Sequence, residues 1–481
     1  MVSTPPPPLS AVQQTAVQAL HDAIPVLHQV GQDFTAAGHE IALVGGTVRD
    51  TLLGQLGSDL DFTTSARPEQ IEACLSGWVD ARWDVGRAFG TIGARVGSWQ
   101  LEITTYRADS YDVDSRKPEV RFGDSLVGDL QRRDFTVNAM AVRLPGLELV
   151  DPFGGIADLA ARWLRTPSTP EESFGDDPLR MMRAARFSAQ LGFEVSEDAV
   201  LAMRDMADRL AIVSAERVRD EIRKLMLAPQ PRRGLTLLVD TGIAALVLPE
   251  LPALQLELDE HHRHKDVYEH TLTVVEQAIA LEDRLPEGGP DFVSRFAALL
   301  HDIGKPRTRR FADDATVTFH HHDVVGAKMT RRRMKALRFS NGEIDAVARL
   351  VELHLRFHGY GSGEWTDSAV RRYVRDAGDQ LDRLHVLTRA DCTTRNERKA
   401  QRLRRTYDDL EQRIARLAEQ EQLESMRPDL DGRQIMQTLG IPPGPTVGKA
   451  YNFLLERRID EGPLGEERAR AALLEWWAQQ T

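Results

Sequence analysis

Within one short stretch, Ile41 to Thr64, the apolar period switches from strand to helix and back, which makes this part of the chain a mixture of α and β structure. "IALVGG" reads as a strand, "VRDTLLG" as a short helix and "DLDFTT" as a second strand. Gly45-Gly46 lie where the first strand turns into the helix, so the chain can bend tightly while the first helical amides point at an anion. Arg49 follows one turn later, within reach of phosphate oxygens. Asp59 and Asp61 alternate about Leu60, which puts both carboxylates on one face of the second strand. Like charges that close are costly without a cation, and hard oxygen ligands on a rigid strand suit Mg²⁺. Separately, each feature has an ordinary explanation in turn chemistry or a charged strand edge. Together they point to phosphoryl or nucleotidyl transfer with two metal ions. Glu102, between Leu101 and Ile103 on a later strand, would supply a third carboxylate.

A chain of 481 residues exceeds one core, so two to four domains are expected. Only Cys74 and Cys392 are present, which excludes a disulfide framework and a cysteine-built zinc site. Any metal must therefore use His, Asp and Glu. No run of eighteen apolar residues could span a bilayer, and "MVSTPPPPLS" lacks a signal-peptide pattern, so the expected compartment is the cytoplasm. A net charge of −12 does not exclude RNA, because arginines cluster around 132–133, 180–186, 331–338 and 395–405.

The expected fold class is α+β: a mixed head with a small sheet, then an all-α body. "TIGARV", Gly97-Ser98 and "WQLEITTY" form a hairpin pattern in the head. After "DPFGG" at Asp151 to Gly155 strand signals fade. The expected bounds are a disordered tail over 1–12, a head over 13–160, a helical neck over 161–255, a histidine-rich domain over 256–395 and a helical C-terminal region over 396–481. "LPEGGPD" and "GIPPGPTVG" read as loops inside the helical body.

In "DDPLRMMRAARF", Asp177, Arg180, Arg183 and Arg186 recur every three residues, which predicts one polar helix stripe against Leu179, Met182 and Phe187. A carboxylate accepts from the exocyclic amine of cytosine or adenine, and a guanidinium donates to the ring nitrogen beside it. Uracil and guanine present the opposite polarity. An Asp-Arg pair could thus choose C and A without a template. A solvated, salt-bridged helix face explains the same stripe.

"LVGGTVRDTLLG", "DLDFTT", "RRDFTVNAMAV", "DPFGG" and "DDPLRMMRAARF" resemble, in order and spacing, the class II tRNA nucleotidyltransferases, the CCA-adding enzymes; bacterial poly(A) polymerases share the pattern. The resemblance implies a polymerase-β-like head, with Asp59 and Asp61 as metal ligands and Gly46 and Arg49 at the nucleotide. It also implies Arg133 at the triphosphate or ribose, Asp134 and Asn138 in the same pocket, and base selection by the 177–186 segment. The family more often has Glu where this chain has Asp176. "ERVRDEI" at Glu216 to Ile222 is similar to a family helix that braces the pocket.

"FAALL" running into His301-Asp302 places an imidazole and a carboxylate at the end of a buried helix, an expensive pair unless metal-bound. With His270 upstream and Asp391 downstream, the set resembles an HD-superfamily phosphohydrolase site, which His322 and His354 would extend towards a second ion. Nitrogen and oxygen ligands suit Mn²⁺, Ni²⁺, Fe²⁺ or Mg²⁺. The basic start of "TRNERKAQRLRRTYDDLEQRIARL" fits either phosphate binding or a solvated helix.

The expected activity is addition of C, C and A to the tRNA 3′ end from CTP and ATP, with release of pyrophosphate. Poly(A) synthesis, CC- or A-addition alone, an HD phosphohydrolase as the main activity, and non-catalytic RNA binding are the alternatives. "RADSYDVDSRKPEVRF", 107–122, would be the loop that matters for switching nucleotide.

Overall fold

The computed structural model describes residues 24–55, 57–107, 123–255, 266–311, 317–360, 365–393, 396–421 and 427–480, together with Thr15, Gln18 and Asp22. The expected N-terminal tail and nearly all of the 107–122 loop lie outside the described residues. The contacts divide the chain into two compact units, 1–249 and 250–481.

Unit 1 is built on a seven-stranded mixed sheet in the order β3-β4-β5-β2-β1-β6-β7. Its strands are β1 Ile41–Val44, β2 Asp59–Thr64, β3 Ala81–Trp83, β4 Thr91–Val96, β5 Trp99–Thr105, β6 Ala141–Leu144 and β7 Glu148–Val150. Only β2 and β5 pair in parallel; every other neighbour is antiparallel. The β4–β5 hairpin turns at Gly97-Ser98, as its alternation predicts, with Gly97 at φ 59°. Alternation along β2 buries Leu60 and Phe62 and leaves Asp59 and Asp61 exposed. Ala42, Val44, Ala139 and Ala141 pack with Leu126 and Leu130 of the helix Leu126–Gln131 in one core cluster.

The rest of unit 1 is almost wholly helical. The helix Leu179–Leu191 packs against Ala215–Met226 and Pro231–Asp240. The predicted stripe is corrected at its start: Asp177 is not on this helix. It follows the helix Pro170–Asp176 in extended conformation, φ −142° and ψ 101°, because a residue before proline is pushed out of the helical region. Pro178 then caps the second helix. Nor is the stripe solvated, since Arg180 and Arg186 are buried.

Unit 2 is helical apart from the two-stranded ribbon Arg310–Phe311 and Val317–Thr318. Helices Val267–Ile279, Phe292–Leu300, His322–Ala336, Asn341–Leu353 and Leu381–Ala390 build its core. Gly304 is where the His301-Asp302 turn meets the helix His322–Ala336: a Cβ there would stand 2.1 Å from the His322 carbonyl oxygen. Three C-terminal helices, Gly432–Leu439, Pro445–Glu461 and Glu466–Ala478, share a separate cluster around Ile435, Leu454 and Leu473. The expected 440–448 loop is shorter than predicted, since Pro445 fits the first turn of a helix and Pro445 to Gly448 begin one.

Candidate nucleotide pocket and candidate metal centre

A cavity of about 470 Å³ opens beside β2 and β5. Every residue singled out for the nucleotide lines it, and of the three carboxylates Asp61 and Glu102 do. The parallel register sets Asp61 directly opposite Glu102. Asp59 shares their exposed face at the start of β2 but does not line the cavity; its carbonyl oxygen accepts a hydrogen bond from the Thr47 hydroxyl at 3.1 Å. Gly45 sits at φ 70°, and a Cβ there would lie 3.1 Å from Arg133 Nη1 and 3.6 Å from Asp61 Oδ2. The glycine turn, the arginine and the carboxylate therefore converge, and the left-handed backbone at Gly45 favours a residue without a side chain between them. Burial raises the Asp61 pKa, Arg133 opposes this, and Glu102 and Asp59 push it further up. A carboxylate crowded by two others, yet open to the cavity, is a fitting ligand for a divalent cation.

The other predicted residues form a connected polar lattice. Arg49 is buried, holding Asp50 through Nε at 2.8 Å and Asn138 through Nη1 at 2.6 Å. Asn138 donates to Asp134 Oδ1 at 3.0 Å, and Asp134 Oδ2 accepts from Arg183 Nε at 2.8 Å. Burial alone would raise the Asp134 pKa, but Arg183 and Asn138 outweigh it and hold this carboxyl well below the usual range. Arg186 donates to Glu221 Oε2 at 2.7 Å, so the "ERVRDEI" helix does brace the pocket wall. The Phe187 ring lies among Arg49, Arg183 and Arg186, with guanidinium carbons 5.3, 5.5 and 3.9 Å from its centroid.

Asp177 Oδ1 accepts from the Leu179 amide at 3.1 Å and Oδ2 from Arg217 Nη2 at 2.7 Å. Arg180 donates to the Arg132 carbonyl at 2.5 Å and to Ser173 Oγ at 2.9 Å. Sequence reasoning missed Arg217 and Asp129. Asp129 is buried and accepts from Arg133 Nη2 and from the Arg107 amide, both at 3.2 Å, which anchors two cationic residues of the cavity. Its signal was a lone acid just before the Arg132-Arg133 pair, and helix sequences are full of such acids.

In unit 2, His270, His301, Asp302 and Asp391 meet where three helices end or begin. His270 Nε2 lies 3.0 Å from Asp391 Oδ1 and 3.7 Å from Asp302 Oδ2. His301 Nε2 lies 3.2 Å from Asp302 Oδ2, and His322 Nε2 lies 3.3 Å from Asp302 Oδ1. His354 completes a second group with Asp302 and His322. Nδ1 of His301, His322 and His354 each bonds a backbone carbonyl, at 2.8, 2.7 and 2.7 Å, which turns each Nε2 inward. All three Nε2 atoms are buried without an aligned hydrogen bond, which suits them to bind a metal ion. Burial would lower the His301 pKa, but Asp302 and Asp391 push it up to about 10. Burial and His301 push His354 down to about 4. Lys305 Nζ also contacts Asp302 Oδ2, at 2.6 Å. Among the described residues, three or more candidate ligand atoms within 4.8 Å of one another occur only here; the head's carboxylates are spread more widely.

Residues 41–165 match the family described as Poly A polymerase head domain, 192–254 the probable RNA and SrmB-binding site of polymerase A, and 267–396 the HD domain. The chain is 34% identical over 446 residues to a Deinococcus radiodurans A-adding tRNA nucleotidyltransferase, covering 92% of this chain and 96% of that one. It is 40% identical over 248 residues to a Streptococcus gordonii CCA-adding enzyme, covering 51% of this chain and 60% of the relative. The fold matches a Bacillus stearothermophilus CCA-adding enzyme solved with CTP, with a TM-score of 0.67, 25% identity, and coverage of 98% of this chain and 99% of that one.

Proposed function

The chain belongs to the tRNA nucleotidyltransferase family, and from that premise we propose that it adds C, C and A in turn to the 3′ end of tRNA, using CTP and ATP. The observation that carries the proposal is the convergence, in one cavity, of a glycine turn, the Asp61–Glu102 pair and the Asp177–Arg186 segment.

The tRNA 3′-hydroxyl oxygen attacks the α-phosphorus and gives up its proton to solvent; a new O–P bond forms, the bond to the bridging oxygen breaks, and pyrophosphate leaves. Asp59 and Asp61, with Glu102 beside them, would hold Mg²⁺, which supplies activation of the hydroxyl and neutralisation of the leaving charge. The Gly45-Gly46 amides and Arg133 cradle the triphosphate. Asp177 and Arg180 read the base edge: each carboxylate oxygen of Asp177 has a second lone pair beyond the bonds to Leu179 and Arg217, so it can accept from an exocyclic amine. Asp134 and Glu221 keep the arginines extended, and Arg49 with Asn138 ties the glycine helix to that wall. As the relatives are bacterial, the cytoplasm is the compartment this reading implies.

The alternative of addition of A alone is favoured by one observation, the full-length match to an A-adding relative. Incubating the protein with tRNA lacking its terminal CCA and with tRNA ending in CC, followed by 3′-end sequencing, decides between them. Full CCA on the first substrate supports the proposal, and extension of the second alone supports A-addition.

At the HD site, His270, His301, Asp302 and Asp391 would hold one divalent ion, Mn²⁺, Ni²⁺, Fe²⁺ or Mg²⁺, and Asp302, His322 and His354 a second. Phosphoester hydrolysis there would be an additional activity.

A further inference from the structure

The basic start of the helix Glu397–Glu421, which the sequence leaves open between phosphate binding and a solvated face, borders a cavity in unit 2. The cavity measures about 540 Å³, and neither the nucleotide pocket nor the metal centre accounts for it. Its walls come from three segments: 277–284, then Arg389 and Cys392 at the end of the helix Leu381–Ala390, then the helix Glu397–Glu421. Ala400, Arg404, Tyr407 and Asp408 of that last helix recur at helical spacing, so one face of it is turned to the cavity. Tyr407 makes a fixed aromatic wall. Its hydroxyl donates to the Thr388 carbonyl at 2.7 Å, and Phe357 stacks on its ring with centroids 4.0 Å apart. The Arg389 guanidinium carbon lies 5.1 Å from the same ring centroid.

Arg284, Arg389 and Arg404 give the cavity three guanidiniums against the one carboxylate of Asp408. Arg284 Nη2 donates to Glu411 Oε2 at 2.8 Å, Arg389 Nε to Glu411 Oε1 at 3.0 Å, and Arg389 Nη2 to Asp408 Oδ1 at 2.7 Å. Carboxylates thus hold two of the three in place, and a guanidinium with five N–H donors keeps some over for a ligand. Arg404 is exposed and pairs with no acid among the described residues. One guanidinium fork satisfies a carboxylate ligand, whereas three from separate segments match the terminal oxygens and double charge of a phosphate monoester. The volume far exceeds what a free phosphate fills and lies within the ordinary range of small-molecule sites, roughly 300–1,000 Å³. The rest of the wall, Ala280, Leu281, Ala400 and the Tyr407 ring, offers apolar surface for a flat ring system.

The same wall bears on the metal centre. Cys392 directly follows Asp391, and Thr393 Oγ1 lies 3.0 Å from His270 Nδ1. A ligand packed against Cys392 holds the 391–393 segment in the arrangement that presents Asp391 and His270, and so favours the ion. We infer that this cavity is an effector site for a phosphate monoester with a flat apolar body, of nucleoside monophosphate size, and that its occupant raises the metal affinity of the HD site through residues 391–393. The regulation rests on the metal-binding reading of the HD site; the binding does not.

The test probes the full chain in EDTA with adenosine 5′-monophosphate, adenosine and inorganic phosphate. Iodoacetamide is the reporter, and peptide mass spectrometry scores Cys392 and Cys74 separately. The monophosphate should slow alkylation of Cys392 by about fivefold or more and leave Cys74 unchanged, while adenosine or inorganic phosphate at the same concentration should protect neither. Arg404→Glu, outside both the nucleotide pocket and the metal ligands, should abolish the protection. Should circular dichroism show that variant unfolded, Arg404→Gln takes its place. A second arm titrates Mn²⁺ by calorimetry: saturating monophosphate should tighten binding at the HD site about threefold or more in the wild type and not in the variant. A Cys392 that resists alkylation without ligand, absent protection, equal protection by adenosine or inorganic phosphate, or protection that survives the Arg404 variant overturns the site. Protection without a tightening of Mn²⁺ overturns the effector role. A wild type that binds no Mn²⁺ at the HD site sinks the metal reading instead, and alkylation still decides the cavity, so the failures are distinguishable.

Discussion

The nucleotide pocket of unit 1 and the HD site of unit 2 solve the problem of buried charge in opposite ways. In the pocket, cations already have partners: Arg183 with Asp134, Arg186 with Glu221, Arg217 with Asp177. At the HD site three buried imidazole nitrogens face inward with no aligned hydrogen bond. A lattice that is satisfied before substrate arrives is rigid, and suits a site that must discriminate; orphaned ligand atoms suit a site that keeps its ion. The difference teaches that the two sites suit a cation for different reasons: in the pocket it would relieve crowded carboxylates, whereas in the HD site it would meet a converging set of imidazole nitrogens.

The largest expected effect separates the two regions. Asp61→Ala should lower nucleotide addition by about 10³-fold or more, given that metal stabilisation is worth several kcal/mol. Hydrolysis of a model phosphodiester by the HD site should be unchanged, and Asp302→Ala should do the reverse. Loss of both activities in either variant would erase the distinction.

Glu221→Ala would leave Arg186 buried without its carboxylate, and breaking such a pair costs about 3–5 kcal/mol. Thermal melting should report it as a drop of several degrees. A change under one degree would mean that the lattice carries little stability.

Selectivity should move by less. Asp177→Asn exchanges one acceptor oxygen for an amide donor, which complements O4 of uracil. The ratio of UTP to CTP use should rise about 10- to 100-fold, matching ~1–3 kcal/mol for a bidentate base contact. An unaltered ratio would remove Asp177 from base reading.

At the HD site, His301 in the metal-free protein holds a proton up to about pH 10, and a metal must displace it. Binding affinity should therefore rise with pH between 6 and 8, by about tenfold per unit for each proton released. Calorimetry of Mn²⁺ binding in two buffers of different ionisation enthalpy measures that release, and a pH-independent affinity would contradict it.

The smallest effect is on stability. Asp61 has a raised pKa in the fold, so the folded state holds more protons than the unfolded chain, and stability falls as pH climbs from the unfolded to the folded value. At neutral pH the ionised group is a burden that Asp61→Asn removes. Melting of the metal-free protein should rise by about 1 °C, a small figure because the carboxylate stands open to solvent.

The sequence made the carboxylate-bearing strand legible because burial on one side of a sheet forces alternation: "DLDFTT" is β2 residue for residue. The glycine turn and the hairpin were legible for similar local reasons. What local pattern cannot reveal is how partners are distributed. Arg49 looked like a free phosphate ligand, but Asp50 and Asn138 hold it, the latter 89 residues away. The arginine stripe looked like one face of one helix, yet Pro178 breaks it from Asp177 and burial ties Arg180 and Arg186 into the packing. The cavity beside Tyr407 left only a basic helix start as its signal, since its walls come from three separate segments.

The central claim is that the unit 1 cavity holds the triphosphate and its metal. Crystals soaked with CTP and Mn²⁺ and measured at the manganese edge test it directly. The account predicts anomalous density against Asp59 and Asp61, with the triphosphate along Gly45, Gly46 and Arg133 and the cytosine facing Asp177. Nucleotide bound elsewhere, or manganese confined to the HD histidines, would contradict it.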